Sequence, residues 1–210
     1  MQTNGNHVPR DAATSPVPVN GERHVDLFVG AGGLALGLQR AGFLPALTVD
    51  WDERSIATLE ANSQRYTRDW SAVRADVRDL DYSAIALSPV SLVSAGAPCQ
   101  PFSIGGQLRG EDDERNMFPE VVRAVRELRP RAFVFENVRG LLFPRARRYF
   151  DYILAQLRVP SRTRRSDEGW LTHKSALERI PRNRHEYYVD WQVLNAADFG
   201  LPQNRPRLVV

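Results

Sequence analysis

The 210-residue chain holds one cysteine, Cys99, and a single lysine, Lys174. It also lacks any apolar run approaching the roughly 20 residues that cross a bilayer. One thiol excludes an internal disulfide and cannot build a thiolate cluster for structural zinc, which fits a reducing compartment. Scarce lysine leaves the basic side to arginine, with a formal net charge of +3. The planar guanidinium fork suits phosphate, but genome base composition produces the same bias, so charge gives only weak support for a nucleic-acid partner. The opening residues, "MQTNGNHVPRDAATSPVPVNGER", have no apolar centre. Residues 1–23 therefore read as a disordered tail and not as a secretory signal, and a cytoplasmic location is expected.

The remaining residues fall into a repeating order. "HVDLFVG" is a short apolar run closed by Gly30, and "GLALGLQRAG" has helical spacing closed by Gly42. "LPALTVD" gives a second strand ending at Asp50, "ERSIATLEAN" a second helix, and "SAVRAD" a third strand ending at Asp76. "VSLVSAGA", "FPEVVRAVRELRP" and "RAFVFENV" continue as strand, helix, strand. Strands alternating with helices predict an α/β domain, a doubly wound and mostly parallel sheet covered on both faces. The domain is expected to occupy residues 24–210, with an irregular arginine-rich insertion at about 158–185. "YYVDWQVLN" reads as an antiparallel-type strand and "LVV" as a final one that breaks off, so the domain is expected to be incomplete.

In open α/β sheets, ligands bind beyond the carboxyl ends of the strands. The turn after the first strand, Gly30-Ala31-Gly32-Gly33, permits close backbone approach and opens a helix with free N–H groups. Asp50 stands where a carboxylate accepts both hydroxyl hydrogens of a ribose, Trp51 can lay its ring on an adenine, and Asp76 can accept from that base's amine. Each has a plainer reading as turn or helix cap. Three at successive strand ends favour a nucleoside cofactor. Cys99 follows the fourth strand onto the same rim, in a loop stiffened by Pro98 and Pro101. An arbitrary lone cysteine is usually a small buried hydrophobe, but a fixed, accessible thiol is what nucleophilic catalysis needs. Glu136 ends the fifth strand beside it, where a carboxyl can deliver a proton or simply pair with an arginine. Arg205 and Arg207 alternate at a strand entrance, so both can face one side and grip a phosphate or a base oxygen.

In this order the blocks resemble the DNA cytosine-5 methyltransferase family from Val25 onward. "DLFVGAGGLALGL", "VDWD" and "ADVRDL" are similar to its cofactor motifs, "GAPCQPFS" to its nucleophile loop, "ENV" to its proton-donor motif and "QNRPR" to its arginine motif. The resemblance implies a Rossmann-like methyltransferase fold that binds S-adenosylmethionine through Phe28, Gly30, Gly32, Asp50, Trp51, Asp76, Val77 and Pro98. It implies Cys99 as nucleophile, Glu136 as the group at the cytosine ring nitrogen, and Arg205 and Arg207 at the flipped nucleotide. Gln100, Ser103 and Asn137 would contact double-stranded DNA. No metal is implied. The family's target-recognition region and last helix have no counterpart in these residues, so a second polypeptide supplying them is expected. Other readings stay open: an inactive remnant or modulatory subunit that binds DNA or cofactor, and an RNA-directed relative. A nicotinamide dehydrogenase would not account for the thiol, "ENV" and arginine blocks together.

Overall fold

The computed structural model describes residues 22–63, 65–67, 70–85, 89–98 and 116–210. Five parallel strands form the frame: β1 (Arg23–Leu27), β2 (Leu44–Asp50), β3 (Ala72–Arg74), β4 (Leu92–Ala95) and β5 (Ala132–Asn137). β6 (Gln192–Asn195) and β7 (Pro206–Val209) add an antiparallel hairpin against β5, giving the order β3-β2-β1-β4-β5-β7-β6. The chain runs from β1 outward to β3, then returns to β4 on the other side of β1. This makes the β1/β4 junction the topological switch point, the place where open α/β sheets take their ligands at the carboxyl edge. β7 runs the other way, so its entrance, with Arg205 just ahead of it and Arg207 within it, lies on that same edge.

Alternation along β1 sorts its side chains onto two faces. Val25 and Leu27 are fully buried with Val49, Val93 and Ala95 in the main core, under α3 (Phe118–Leu128) and α4 (Pro144–Arg158). α3 buries Phe118, Val121, Val122, Ala124, Val125 and Leu128, the spacing of one apolar helical stripe. The opposite face carries α1 (Gly33–Arg40) and α2 (Glu53–Ala61), with a small cluster of Val29, Ala35, Ile56, Leu59 and Trp70.

The predicted elements recur with shifts at their ends. β1 stops at Leu27, because Phe28 and Gly30 take positive φ (59° and 55°) and turn the chain before the predicted glycine. β3 stops at Arg74, because the Asp76 carboxylate caps the 3₁₀ turn Val77–Asp79 by accepting from Arg78 N–H at 2.9 Å. The stretch read as irregular contains α5 (Trp170–Glu178), a helix not foreseen, with weak amphipathic patterning and two buried residues, His173 and Leu177. His173 is held by the Tyr152 hydroxyl at 2.7 Å and by the Arg162 carbonyl at 3.0 Å. Tertiary contacts therefore order a segment whose local pattern is faint. Among the described residues no helix is long and apolar enough to cross a membrane.

Candidate active site

The rim is built from the ends of five neighbouring strands. At β1, Phe28 in the left-handed region is costly for a non-glycine residue, and such backbone clusters at ligand sites. Gly32 has φ +87°, and a Cβ there would meet Leu59 Cδ2 at 2.8 Å and a Trp70 ring carbon at 3.0 Å. Only glycine closes this turn. Above Gly30 and Gly33, by contrast, a Cβ would find nothing within 4 Å, so the backbone borders open space.

Asp50, ending β2, accepts from Gly30 N–H at 2.8 Å and from Asp52 N–H at 2.9 Å. One carboxylate thus ties the glycine turn to the next strand end and keeps further acceptor capacity on both oxygens. Trp51 beside it is 70% exposed, an unusually open ring for a tryptophan. Asp76 is held by its neighbour: Arg78 Nε reaches both carboxylate oxygens, at 3.0 and 3.1 Å, holding the carboxyl below its ordinary range. Val77 is buried, whereas Pro98 is exposed.

The acid side lies across β4. Glu136 Oε1 meets Arg207 Nε at 2.6 Å, with 34% and 24% of the two side chains exposed, so the carboxyl at this strand end is paired yet reachable. The pairing partner foreseen only in general terms is one of the two arginines read as a grip. Arg205 sits just outside β7 and is exposed, its backbone N–H bonded to Asn195 Oδ1 at 2.9 Å. Asn137 is 7% exposed and donates to the Ala97 carbonyl at 2.9 Å. Its side chain was expected at the DNA; the structure gives it a partner within the fold, at the base of the loop that leads to Cys99. Cys99, Gln100 and Ser103 lie outside the described residues.

Sequence reasoning missed a polar group in the core beneath this rim. In register across β1 and β4, Asp26 faces Ser94 and His24 faces Leu92. The Ser94 hydroxyl donates to Asp26 Oδ1, and His24 Nε2 approaches Ser94 Oγ at 2.6 Å. Asp26 Oδ2 and His24 Nδ1 have no partner among the described residues. Burial pushes the Asp26 carboxyl up to about 7, with the Asp50 charge adding to it, and pushes His24 down to about 4. Both groups are therefore favoured in their neutral forms. Two ionisable residues at alternate positions of an apolar strand were the signal available in "HVDLF".

A sheet with its switch point at a glycine turn, a carboxylate bound to that turn and an open aromatic beside it fit a Rossmann-like fold with a nucleoside site, and the structures the chain resembles put it in the class of Rossmann-like methyltransferases. Consistent with that class, a structure described as a prophage-encoded DNA modification methyltransferase (E. coli) matches 89% of this chain and 45% of its own, with a TM-score of 0.59 and 27% identity. A Spodoptera frugiperda DNMT2 structure shares the fold at a TM-score of 0.58 and 18% identity, over 90% of this chain and 49% of its own. The family model for C-5 cytosine-specific DNA methylase matches residues 23–159 and 168–210, leaving out part of the arginine-rich loop. The chain belongs to the C-5 cytosine-specific DNA methylase family.

Among relatives, the chain is 34% identical to the Type II methyltransferase M.NgoMIV of Neisseria gonorrhoeae over 88% of its length, and 37% identical to M.NaeI of Lentzea aerocolonigenes over 89%. It is 32% identical to M.AquIA of Picosynechococcus sp., again over 89%. It spans 49% of M.NgoMIV, 38% of M.NaeI and 69% of M.AquIA.

Proposed function

We propose that this chain forms the catalytic part of an enzyme that transfers a methyl group from S-adenosylmethionine to carbon 5 of cytosine in double-stranded DNA. The observation that carries the proposal is the placement of Asp50 with its glycine turn and of the Glu136–Arg207 pair on either side of β4, the strand that leads into Cys99. Family membership and the Type II relatives support a role in restriction-modification.

The residues present fit the cofactor. Open space above Gly30 and Gly33 admits a ligand against the backbone, Asp50 retains acceptor capacity for ribose hydroxyls, and the open Trp51 ring offers a stacking face. Phe28, Gly32, Asp76, Val77 and Pro98 complete the proposed cradle. Bound there, S-adenosylmethionine supplies an electrophilic methyl on a positively charged sulfur.

Cytosine is too weakly nucleophilic at carbon 5 to react unaided, and a base in the duplex stack is out of reach, so the target must first be flipped out. The Cys99 thiolate then adds to carbon 6, while Glu136 holds or delivers a proton at ring nitrogen 3. This places electron density on carbon 5. Carbon 5 takes the methyl as the donor's carbon–sulfur bond breaks with its pair left on sulfur. A base then takes the proton from carbon 5, the pair left on that carbon restores the ring double bond, Cys99 leaves as thiolate, and any proton given to ring nitrogen 3 returns to Glu136. Arg207 holds the Glu136 carboxyl in place, and Arg205 faces the flipped nucleotide.

The test uses duplex DNA carrying 5-fluorocytosine, whose fluorine cannot leave as a proton. The chain is assayed alone and with a polypeptide carrying the remaining length found in the relatives. A denaturation-resistant protein–DNA adduct is expected, absent in Cys99→Ser, together with transfer of label from tritiated cofactor to ordinary DNA. No adduct and no label under either condition would sink the proposal.

A further inference from the structure

Among the described residues β3 has a strand neighbour on one side only, so the turn after it leaves from the sheet's edge strand. In the proposed cofactor site, this turn carries Asp76 and Val77 to the adenine end. β3 is three residues long, and beyond it one backbone bond, Ala75 N–H to the Asp50 carbonyl at 3.1 Å, continues its pairing with β2. The fixing group comes from α3, more than 40 residues on. Arg123 donates from one terminal nitrogen to the Val77 carbonyl at 2.7 Å and from the other to the Leu80 carbonyl at 3.1 Å. Its planar fork thus spans both ends of the 3₁₀ turn Val77–Asp79.

The guanidinium is held on its other sides as well. Glu120 accepts from its Nε at 2.7 Å and Glu127 from a terminal nitrogen at 3.2 Å, one helical turn to either side. The ring of Tyr82, fully buried, lies 4.7 Å from its central carbon. A group with two acidic braces, an aromatic face and two carbonyl acceptors has little freedom left. α3 comes directly after the segment that contains Cys99, so this one side chain joins the turn beside the proposed adenine site to the helix on the nucleophile's side of the chain.

We propose that Arg123 is a positioning residue for cofactor recognition: by clamping the Val77 and Leu80 carbonyls it sets where Asp76 presents its carboxylate to the adenine amine. This rests on the cofactor pocket proposed for the same rim. A merely structural arginine would lower stability without changing which base is preferred. A positioning arginine alters the preference itself.

Calorimetry on the full chain measures this with S-adenosylhomocysteine and with its inosine counterpart, which carries a ring carbonyl in place of the amine. The parent is expected to favour the amine-bearing ligand by about tenfold, the size of one hydrogen bond to a charged acceptor. Arg123→Lys keeps the charge but cannot span both carbonyls, so most of that preference is lost while affinity for the inosine ligand changes little. Arg131→Lys, an exposed change just beyond the same helix that touches neither brace, keeps the parent's ratio. Glu120→Gln removes one brace and gives a smaller fall in the ratio, so the proposal stays testable if Arg123→Lys does not fold. An unchanged ratio in every variant that folds overturns the role of Arg123 alone. A parent chain that binds neither ligand overturns it together with the cofactor pocket, and methyl transfer with an unchanged ratio would leave the proposed reaction standing without this clamp.

Discussion

Glu136 keeps about a third of its side chain in contact with solvent and is bound to one arginine. At that exposure the ion pair contributes little to stability, on the order of 1 kcal/mol or less. Its worth is geometric. Glu136→Gln is therefore expected to reduce methyl transfer by about 10²- to 10⁴-fold, the usual range for a lost proton-handling group, with thermal stability nearly unchanged. Arg207→Ala should lower the rate less, since the acid remains but is no longer held. Label-transfer rates beside melting curves decide this, and a Glu136→Gln enzyme as fast as the parent would remove the carboxyl from the chemistry. Several of these residues were legible in advance because they end strands in a fold whose ligand edge is known. The partner of Glu136 was not legible, because Arg207 lies 71 positions further on and reaches it only through the antiparallel pairing of β7 with β5.

Within β1, the alternation that sends Val25 and Leu27 into the core sends His24 and Asp26 to the other face, where Ser94 joins them. Their proton affinities shift in opposite directions. Asp26 is raised from 3.8 to about 7, so the stability it contributes is full at low pH and is lost as pH rises toward about 7. His24 is lowered from 6.5 to about 4, so its contribution is present above about 6.5 and is lost as pH falls toward about 4. Between these limits the two slopes oppose each other. Asp26→Asn removes the falling slope, and its stability relative to the parent should climb from about pH 4 to about pH 7 and then level off. His24→Gln should show the reverse trend, declining relative to the parent until about pH 6.5. Urea unfolding midpoints across this range check both, and parallel curves for the two variants would refute the assignment.

At the scale of the whole molecule, the proposed pocket gathers residues from β1, β2 and the turn after β3, so a ligand there adds a brace to segments already joined by strand pairing and by the Gly30–Asp50 bond. S-adenosylhomocysteine at about 100 times its dissociation constant should add about 2.7 kcal/mol, raising the melting temperature by roughly 5–10 °C for a chain of this size. Asp50→Ala should abolish most of that shift. A parent chain whose melting temperature ignores the ligand would contradict the pocket.

The order of β1 to β5, the three helices α1 to α3 among them and the acids Asp50 and Glu136 at strand ends were determined by the sequence alone, because apolar periodicity, turn glycines and strand-ending acids are local signals. Tertiary structure decided α5, whose weak pattern is ordered by His173 contacts, and the inward turn of Asn137. It also decided the Glu136–Arg207 pair, the buried Asp26–Ser94–His24 group and the Arg123 clamp. Each joins residues dozens of positions apart, so strand register and helix placement in three dimensions, and no stretch of the chain by itself, bring the partners within bonding distance.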